Sequence, residues 1–428
     1  MSHGGSVSEF IEFSLGHRLL PELAAGPEVL VTGLGMTTPL GGDVAETWQG
    51  LLDGGSPVTA LAEDWASDLP VRLGARLRRE PDAELGRIEL RRLDRCQQLA
   101  LVAARQAWAD AGRPEVDPER FAVVLGTGLG GGRTLLDQHE VVAARGPDRI
   151  SPFAVTMLMP NGSAAAVSLA LGARGGAHAP TSACASGAEA VALGLAMIRA
   201  GRADVVLAGG TEACVGRLSI AAFARMGALS RRNHDPAGAS RPFDLGRDGF
   251  VMGEGAGALV LERAEFARAR GRRGHARLAG AGMSADAHDM TAPAPDGQIR
   301  AIQEALHSSG LSRQDVTHVN AHAPGTQVGD RIEAAAVRTA VGTHPLVTAP
   351  KSITGHLIGG AGAVEAICTV LSVREDLVPP TRNLDNPDPE VGLEIVTGAP
   401  RHTPVPAALS NSFGFGGHNV VLAFTKAA

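Results

Sequence analysis

The sequence predicts an α/β protein in which helices cover buried β-sheets. Short apolar runs typical of buried strands alternate with longer helical patterns along most of the chain. The chain holds 55 Gly residues, is rich in Ala and contains only 3% aromatic residues, a composition that favours close backbone packing over disorder. Two helical segments of small apolar residues lie in different halves of the chain, and a helix that is apolar on every face is buried.

The length and charge of the chain limit the classes of function. Its 428 residues are 44% hydrophobic and 20% charged, which is ample for a large core. The net charge of −6 argues against broad binding to nucleic acid or to an anionic membrane, because both need an extended basic surface. Four Cys without a CxxC pair predict neither a disulfide framework nor a zinc site. With no secretory signal and no apolar stretch of about 18 residues, we expect a cytoplasmic protein.

The body of the chain is predicted to begin at Val29. Residues 1–28 form an N-terminal extension in which segment 8–15 fits a short helix, either a tail or a docking arm. Strands are predicted at residues 29–35, 121–126, 204–208, 257–261, 276–281, 317–321, 346–349 and 419–424. Helices are predicted at residues 99–111, 184–200, 298–309, 330–340 and 357–373.

A faint duplication divides this body into two halves. One apolar helix opens at Cys184 and the other opens just after His356, so each begins beside a reactive side chain. The boundary is expected near an Arg-rich surface segment, which gives an N-terminal half at 29–270 and a C-terminal half at 271–428.

Three side chains have positions that suit thiol chemistry. Cys184 lies at the start of a buried helix, where the helix dipole favours a thiolate and lowers the thiol pKa. His322 follows an apolar strand and His356 precedes the second apolar helix. These are the places where open α/β sheets carry their sites, and one Cys with two His fits acyl transfer. A buried structural role is the alternative for each residue taken alone.

Two further segments carry candidate residues. Lys351 lies in an apolar, Gly-rich stretch, and a buried Lys needs a partner. Residues 411–418 place two Phe among Gly on a predicted loop, which suits a gate or backbone N–H groups directed at an oxyanion; a tight turn before the last strand is the alternative. Residues 126–131 match GxGxxG, but no second strand ending in an acid follows. We therefore do not expect dinucleotide binding.

Taken together, these segments resemble the β-ketoacyl-[acyl carrier protein] synthases, and specifically the actinobacterial type II elongation enzymes. The resemblance covers Val29 to Phe424 and depends on the order Cys, His, Lys, His and Gly-Phe-Gly-Gly, with similar contexts at residues 159–162, 182–190 and 411–419. It implies the thiolase fold, a five-layer αβαβα arrangement of two similar halves. It also implies decarboxylative condensation of a malonyl thioester with an acyl chain in fatty acid or polyketide biosynthesis.

The resemblance assigns a role to each residue of the candidate site. Cys184 matches the nucleophile that holds the acyl chain, and His322 and His356 match the pair that promotes decarboxylation. Lys351 matches the lysine that orients the histidine region. The N–H groups of Cys184 and Phe415, with Gly416 beside them, match the oxyanion hole, and Phe415 matches the gate. No metal and no organic cofactor is implied, since the substrates are carried on the 4′-phosphopantetheine of acyl carrier protein.

The chain departs from the family pattern at the substrate-binding positions. Pro324 stands where relatives have the first of two Thr that contact the pantetheine arm, while Thr326 keeps the second. Leu129 matches the floor of the acyl pocket. Ala154 stands where some relatives place a Phe across the dimer interface, and the smaller side chain predicts a longer channel for medium, long or polyene chains.

The resemblance also implies partners. The acidic carrier protein is expected on a basic rim, for which the candidates are Arg87, Arg91, Arg92, Arg95, Arg231 and Arg232. A homodimer is expected, and a heterodimer with a chain-length-factor paralogue stays open.

Four alternatives were weighed against elongation. A degradative thiolase needs a second Cys near the C-terminus, and none follows Cys368. A chain-length factor typically lacks the nucleophile, and a loading synthase uses Cys-His-Asn. The ketosynthase subunit of a heterodimeric polyketide synthase has the same active-site residues, so the sequence leaves that alternative open.

Overall fold

The computed structural model describes residues 26–427, so the predicted helix at 8–15 lies outside the described residues. The strands are β1 (Val29–Thr37), β2 (Thr59–Ala60), β3 (Leu73–Gly74), β4 (Phe121–Gly126), β5 (Ala177–His178), β6 (Val205–Glu212), β7 (Gly255–Arg263), β8 (Ala276–Ala285), β9 (His318–Asn320), β10 (Leu346–Thr348), β11 (Leu377–Val378), β12 (Glu394–Ile395), β13 (Arg401–His402), β14 (Ala407–Gly414) and β15 (His418–Thr425).

The helices are α1 (Val44–Asp53), α2 (Arg87–Arg92), α3 (Arg95–Asp110), α4 (Gly132–Arg145), α5 (Ala154–Leu158), α6 (Gly162–Leu171), α7 (Ser186–Arg199), α8 (Arg217–Arg225), α9 (Ala264–Ala269), α10 (Pro295–Ser309), α11 (Gln327–Ala340), α12 (Lys351–Thr354) and α13 (Ala361–Glu375). Short 3₁₀ turns at Ala183–Ala185 and Ile358–Gly360 lead into α7 and α13.

Eleven strands form one sheet whose order repeats the same pattern twice. In the order β12-β10-β9-β14-β15-β8-β1-β7-β6-β4-β5, β7 runs antiparallel to both of its neighbours, β1 and β6, while β6, β4 and β5 run parallel. The second half repeats this arrangement with β8, β15 and β14, then β14, β9 and β10. The two halves join only at two residue pairs between β1 and β8. This repeat confirms the predicted duplication at the level of topology.

The directions of the strand side chains show that the fold has five layers. Val206 and Ala208 of β6 belong to the central core with α7 and α13, whereas Val205 and Leu207 of the same strand pack outward against α3 and α6. In the second half, alternate residues of β15 face the central core or the outer helices α10 and α11. Because successive residues of a strand point to opposite faces, each sheet is covered by helices on both sides. The predicted αβαβα fold is confirmed.

Glycine lets the layers approach closely at equivalent places in both halves. A Cβ added to Gly35 of β1 would lie 2.0 Å from the Ala103 carbonyl oxygen of α3, and one on Gly282 of β8 would lie 2.1 Å from the Ala301 carbonyl oxygen of α10. The central helices α7 and α13 meet at glycine in the same way, since a Cβ on Gly187 would lie 2.8 Å from the Ala363 nitrogen. The abundance of Gly therefore reflects backbone packing, as predicted.

Some local predictions need correction. Residues 411–414, predicted as a loop, are the end of strand β14, and only the turn that follows them is irregular. The sequence analysis missed β14 because Asn411 and Ser412 are polar, yet both are fully buried. It also missed α4, α6 and α8, and the predicted start of the helix at Cys184 proves to be a 3₁₀ turn ahead of α7. The domain division at residues 270 and 271 stays a prediction.

Candidate active site

Cys184 lies on the 3₁₀ turn that enters α7, and the chain there is tightly constrained. Ala183 has a φ of 50°, a left-handed conformation that costs a non-Gly residue on the order of 1 kcal/mol or more. The end of β14 presses against this turn, since a Cβ on Gly414 would lie 3.2 Å from the Cys184 nitrogen and 2.5 Å from the Ser182 carbonyl oxygen. The turn is thereby held in one conformation, and Cys184 is 9% exposed.

The thiol does not ionise as easily as the sequence analysis predicts. Burial raises the pKa of Cys184 to about 11, while the Lys351 charge and the Phe415 backbone N–H act in the opposite direction. The net shift of the Cys184 pKa is therefore opposite to the predicted lowering by the helix dipole, because loss of hydration outweighs it. The N–H of Phe415 directed at Cys184 is the contact that the resemblance implies for an oxyanion hole.

Both predicted histidines lie beside the thiol. Their rings are 5.3 Å apart between centroids and nearly perpendicular at 82°. One nitrogen from each ring and the Cys184 sulfur all lie within 4.8 Å of one another. Burial and the nearby Lys351 charge lower the pKa of His322 and of His356 well below the usual value. Both imidazoles are therefore neutral at pH 7.

Lys351 determines which nitrogen of His322 carries the proton. Its fully buried ammonium donates to His322 Nδ1 at 3.2 Å, to the His322 carbonyl oxygen at 2.7 Å and to Glu365 Oε1 at 2.5 Å. Because an ammonium has no acceptor, His322 Nδ1 accepts and Nε2 holds the hydrogen. Glu365 on α13 balances the buried charge of Lys351. The predicted need of Lys351 for a partner is therefore met by Glu365, on the helix that follows His356.

Glu333 on α11 is a site residue that the sequence analysis missed. Its carboxylate accepts from the backbone N–H groups of His322 and Ala323 at 2.8 and 2.7 Å, and from Asn411 Nδ2 at 3.0 Å. It therefore anchors the histidine segment to β14. The sequence signal for Glu333 was an acidic residue on the buried face of an amphipathic helix.

Glu212 occupies the N–H groups of the loop that matches GxGxxG. This buried carboxylate at the end of β6 accepts from the N–H groups of Gly128 at 2.7 Å and of Leu129 and Gly359 at 3.3 Å. These N–H groups of the Gly-rich loop are therefore occupied by an internal carboxyl group, which supports the expectation that no dinucleotide binds there. The signal for this residue was a lone acid at the end of an apolar strand.

The turn at residues 415–417 differs in part from the prediction. The N–H of Gly416 donates to the Met290 carbonyl oxygen at 2.8 Å, so Gly416 does not supply an oxyanion-hole donor; that expectation is corrected. The Asp286 N–H in turn donates to the Gly417 carbonyl oxygen at 2.9 Å. These contacts join the turn to the loop between β8 and α10.

A cavity of about 710 Å³ gives access to the thiol. Cys184, His322, His356, Phe415 and Thr326 line it, together with Pro324 at the position where the sequence departs from the family pattern. Two predicted acyl-pocket residues do not line this cavity: Leu129 is 48% exposed and Ala154 is buried. Their assignment stays a prediction.

The predicted docking arginines divide into separate groups. Arg95 is wrong as a docking residue, because its guanidinium is held by Glu254 at 2.8 Å and by Glu80 at 2.5 Å and is only 15% exposed. The guanidinium of Arg92 stacks over the Phe153 ring at 5.0 Å. Arg87 and Arg91 are exposed on α2.

The other two docking candidates lie at the mouth of the cavity. The Arg231 N–H donates to Asp248 at 3.0 Å and the Arg232 guanidinium lies 3.9 Å from the same carboxylate, which lines the cavity.

The catalytic cluster is also the one group within residues 26–427 whose spacing fits a metal ion. A thiol and two imidazole nitrogens within 4.8 Å are suitable zinc ligands. However, the Lys351 ammonium beside His322 disfavours a second cation and keeps the His322 proton on Nε2. The expected lack of a metal stays a prediction.

Comparisons with protein families and with known proteins give matches over most of the chain. Residues 27–267 match the family described as "Beta-ketoacyl synthase, N-terminal domain", and residues 275–385 match its C-terminal domain. The chain is 48% identical over 416 residues to "3-oxoacyl-[acyl-carrier-protein] synthase 2" of Mycobacterium tuberculosis, covering 95% of this chain and 100% of the relative. The protein of the same name from Synechocystis sp. is 44% identical, with 93% of this chain and 98% of the relative covered.

Solved structures agree with this result. "The ishigamide ketosynthase/chain length factor" superposes with a TM-score of 0.88 at 33% identity, covering 94% of this chain and 100% of that one. A type II PKS acyl-carrier protein in complex with its ketosynthase bound to the hexaketide gives a TM-score of 0.86 at 30% identity, with 94% and 100% covered. None of the helices within residues 26–427 has the length and apolar character to cross a bilayer. The chain belongs to the β-ketoacyl synthase family.

Proposed function

We propose that this protein is a 3-oxoacyl-[acyl carrier protein] synthase that elongates acyl chains by decarboxylative Claisen condensation. The observation that carries the proposal is the cluster itself, a buried thiol and two neutral imidazoles within 4.8 Å of one another at the base of a cavity. Family membership and relatives named 3-oxoacyl-[acyl-carrier-protein] synthase 2 support the same activity.

The first half-reaction transfers the acyl chain to Cys184. The thiolate attacks the carbonyl carbon of the acyl thioester, and the charge on its oxygen is stabilised by the N–H groups of Cys184 and Phe415. Collapse of this intermediate expels the thiol of the carrier, which takes the proton that Cys184 has released. No external oxidant or reductant is needed.

The second half-reaction uses both histidines. Loss of CO₂ from the malonyl thioester leaves an enolate, and imidazole N–H groups stabilise its developing oxygen charge. His322 has a defined Nε2–H for this role because Lys351 occupies Nδ1. The enolate carbon then attacks the Cys184 thioester, expels the thiolate and forms a chain that is two carbons longer.

The partner of the reaction is acyl carrier protein, which presents both substrates on its phosphopantetheine arm. The mouth of the cavity bears Arg231 and Arg232, which suit an acidic carrier. The thiolate, the imidazoles and the backbone N–H groups supply the chemistry, so we propose that no metal or organic cofactor takes part. We place the enzyme in the cytoplasm with the carrier.

We also propose a homodimer. The exposed large apolar side chains include six within one segment, at Leu135, Leu136, Val142, Ile150, Val155 and Leu169. Strand β5, which follows this segment, is an exposed sheet edge. An exposed apolar area of this kind next to an unpaired edge favours a second chain, and a second copy of the same protein is the simplest occupant.

Intact-protein mass tests the proposed activity. Wild type mixed with medium-chain and long-chain acyl carrier protein should gain one acyl group, and Cys184→Ala should gain none. Malonyl carrier protein should then remove that mass as 3-ketoacyl product. His356→Ala should still be acylated but should lose decarboxylation by about 100- to 1000-fold, as for removal of one oxyanion donor. Absence of acylation at every chain length would overturn stand-alone elongation.

A second candidate is the ketosynthase subunit of a heterodimeric polyketide synthase. It is supported by the structural similarity to a protein described as a ketosynthase/chain length factor. In that case the isolated chain would stay monomeric and unacylated, and both properties would return when a paralogous partner is added.

A further inference from the structure

Gln298 is a polar residue of the cavity that the mechanism above does not use. It is the fourth residue of α10, is 1% exposed and lines the cavity with the catalytic residues. Its Oε1 is sealed from solvent and has no hydrogen-bond partner among residues 26–427.

Such a group is costly unless something else pairs with it. A buried polar atom without a partner destabilises the folded state by about 1–3 kcal/mol, and native proteins hold few of them. Two lining residues on the loop before α10 are paired. Both Asp286 oxygens accept hydrogen bonds, from Asn419 at 2.7 Å and from the Ala294 N–H at 3.0 Å. Thr291 is bonded to Asp289 at 3.1 Å.

The chemistry of the substrate limits what the missing partner is. A saturated acyl chain is apolar and would leave the Gln298 amide unpaired. The phosphopantetheine arm must pass from the surface to Cys184, and it carries two secondary amides, each with one donor and one acceptor. Pro324 offers the arm no hydroxyl and no N–H. His356 Nδ1 also has no partner among residues 26–427, but the proposed mechanism assigns His356 to the reacting carbonyl, so Gln298, with Thr326, is available to the arm.

We propose that Gln298 is a specificity-determining residue that hydrogen-bonds a secondary amide of the phosphopantetheine arm. This inference rests on the proposed function, because it assumes a carrier-borne substrate. Gln298 acts on binding of the arm and not on the reacting atoms, so its loss should raise KM and leave kcat unchanged.

The test compares Gln298→Met with wild type on two thioesters that share one acyl chain. One thioester is formed with pantetheine and the other with an alkane thiol that has no amide. The rate of Cys184 acylation is followed by intact mass over a range of concentrations. We expect Gln298→Met to raise KM about three- to tenfold for the pantetheine thioester, the worth of one neutral hydrogen bond, and to leave the alkane thioester unchanged.

Thermal unfolding separates this role from a structural one. Met has nearly the same shape without the unpaired amide, so Gln298→Met should keep or raise Tm. Gln98→Met is the matched control, because Gln98 Nε2 already donates to the Leu90 and Leu93 carbonyl oxygens at 3.2 and 2.9 Å. That variant should lower Tm and leave KM unchanged.

Three results would overturn the inference. An equal loss on both thioesters would assign Gln298 to the acyl chain or to the fold. No loss on either would remove it from recognition, and a fall in Tm matching that of Gln98→Met would make it structural. Failure of the proposed function is distinguishable, because wild type itself would then not be acylated by either thioester.

Discussion

At the scale of single residues, burial and the neighbouring polar groups shift the pKa of Cys184 in opposite directions. Burial holds Cys184 in the thiol form, and the Lys351 charge and the Phe415 N–H favour the thiolate. The same Lys351 keeps His322 neutral with its proton on Nε2. In the proposed mechanism, one buried ammonium therefore serves both half-reactions, by favouring the anion at sulfur and by fixing the tautomer of the imidazole.

The first prediction concerns the reactivity of the thiol. Because the thiolate is the nucleophile, the rate of alkylation by iodoacetamide should rise with pH until about pH 11, the pKa of Cys184. Lys351→Met removes a positive charge, so the pKa should rise further and the rate at pH 8 should fall several-fold. Peptide mass mapping assigns the label to Cys184.

A plateau of the alkylation rate near pH 7 would contradict this account. The other three cysteines, Cys96, Cys214 and Cys368, are internal controls, because burial raises the pKa of each of them and they should stay unlabelled over the same interval.

At the scale of elements, buried carboxylates hold the loops that carry the catalytic groups. Glu212 at the end of β6 joins the Gly-rich loop after β4 to the 3₁₀ turn before α13, and so links the two halves of the fold beside Cys184. Glu333 on α11 does the same for the histidine segment and β14. Both acids accept backbone N–H groups that would otherwise be buried without a partner.

Glu212 should give the fold a measurable dependence on pH. Burial raises the pKa of Glu212 from 4.5 to about 7, so the folded chain keeps a proton that the unfolded chain has released. Its contribution to stability is complete below pH 4.5 and is lost as the pH rises toward 7, with a maximum slope of about 1.4 kcal/mol per pH unit. Urea unfolding at pH 5 and at pH 7 measures this loss.

Glu212→Gln cannot titrate, so its free energy of unfolding should fall less than that of wild type between these two pH values. The surface variant Glu119→Gln is the control and should keep the wild-type slope. Equal slopes for wild type and Glu212→Gln would show that the carboxylate ionises as freely in the folded chain as in the unfolded one.

At the scale of the whole molecule, we propose that the exposed apolar segment 135–169 and the free edge at β5 form the dimer interface. The wild-type protein, with a chain mass of 43.9 kDa, should have twice that mass in light scattering. Val155 and Leu169 are 66% and 85% exposed, and Val155→Glu with Leu169→Glu should place charges in the interface and give monomers. Leu218 is also apolar and is 57% exposed, on α8. The variant Leu218→Glu is the control and should remain dimeric.

A wild-type monomer would contradict the homodimer and would favour a paralogous partner. A double variant that stays dimeric would move the interface elsewhere on the molecule.

The mouth of the cavity should control recognition of the carrier protein. Arg231→Glu with Arg232→Glu should raise KM for acyl carrier protein several-fold and leave KM for an acyl-pantetheine thioester unchanged, because the small substrate needs no protein contact. The difference in KM between wild type and this variant should shrink in 0.5 M salt, because salt screens surface charges.

Arg202→Glu is the matched control for this surface. Arg202 is exposed and lies just before β6, at the opposite end of the strand from Glu212. Reversal of the Arg202 charge should therefore leave both KM values unchanged. An equal loss in the double variant and in Arg202→Glu would indicate a general effect of charge and no docking at the mouth.

The sequence by itself determined the features that local pattern controls. Apolar runs located strands and buried helices because the burial of an element depends on its own side chains. The order of Cys184, His322, Lys351 and His356 predicted a set of residues that the structure brings together. The tertiary structure decided what depends on contacts between distant segments. The burial of Arg95, the occupied N–H of Gly416 and the raised pKa of Cys184 all arise from neighbours that are remote in the chain, since hydration and hydrogen-bond partners are fixed only when the layers close.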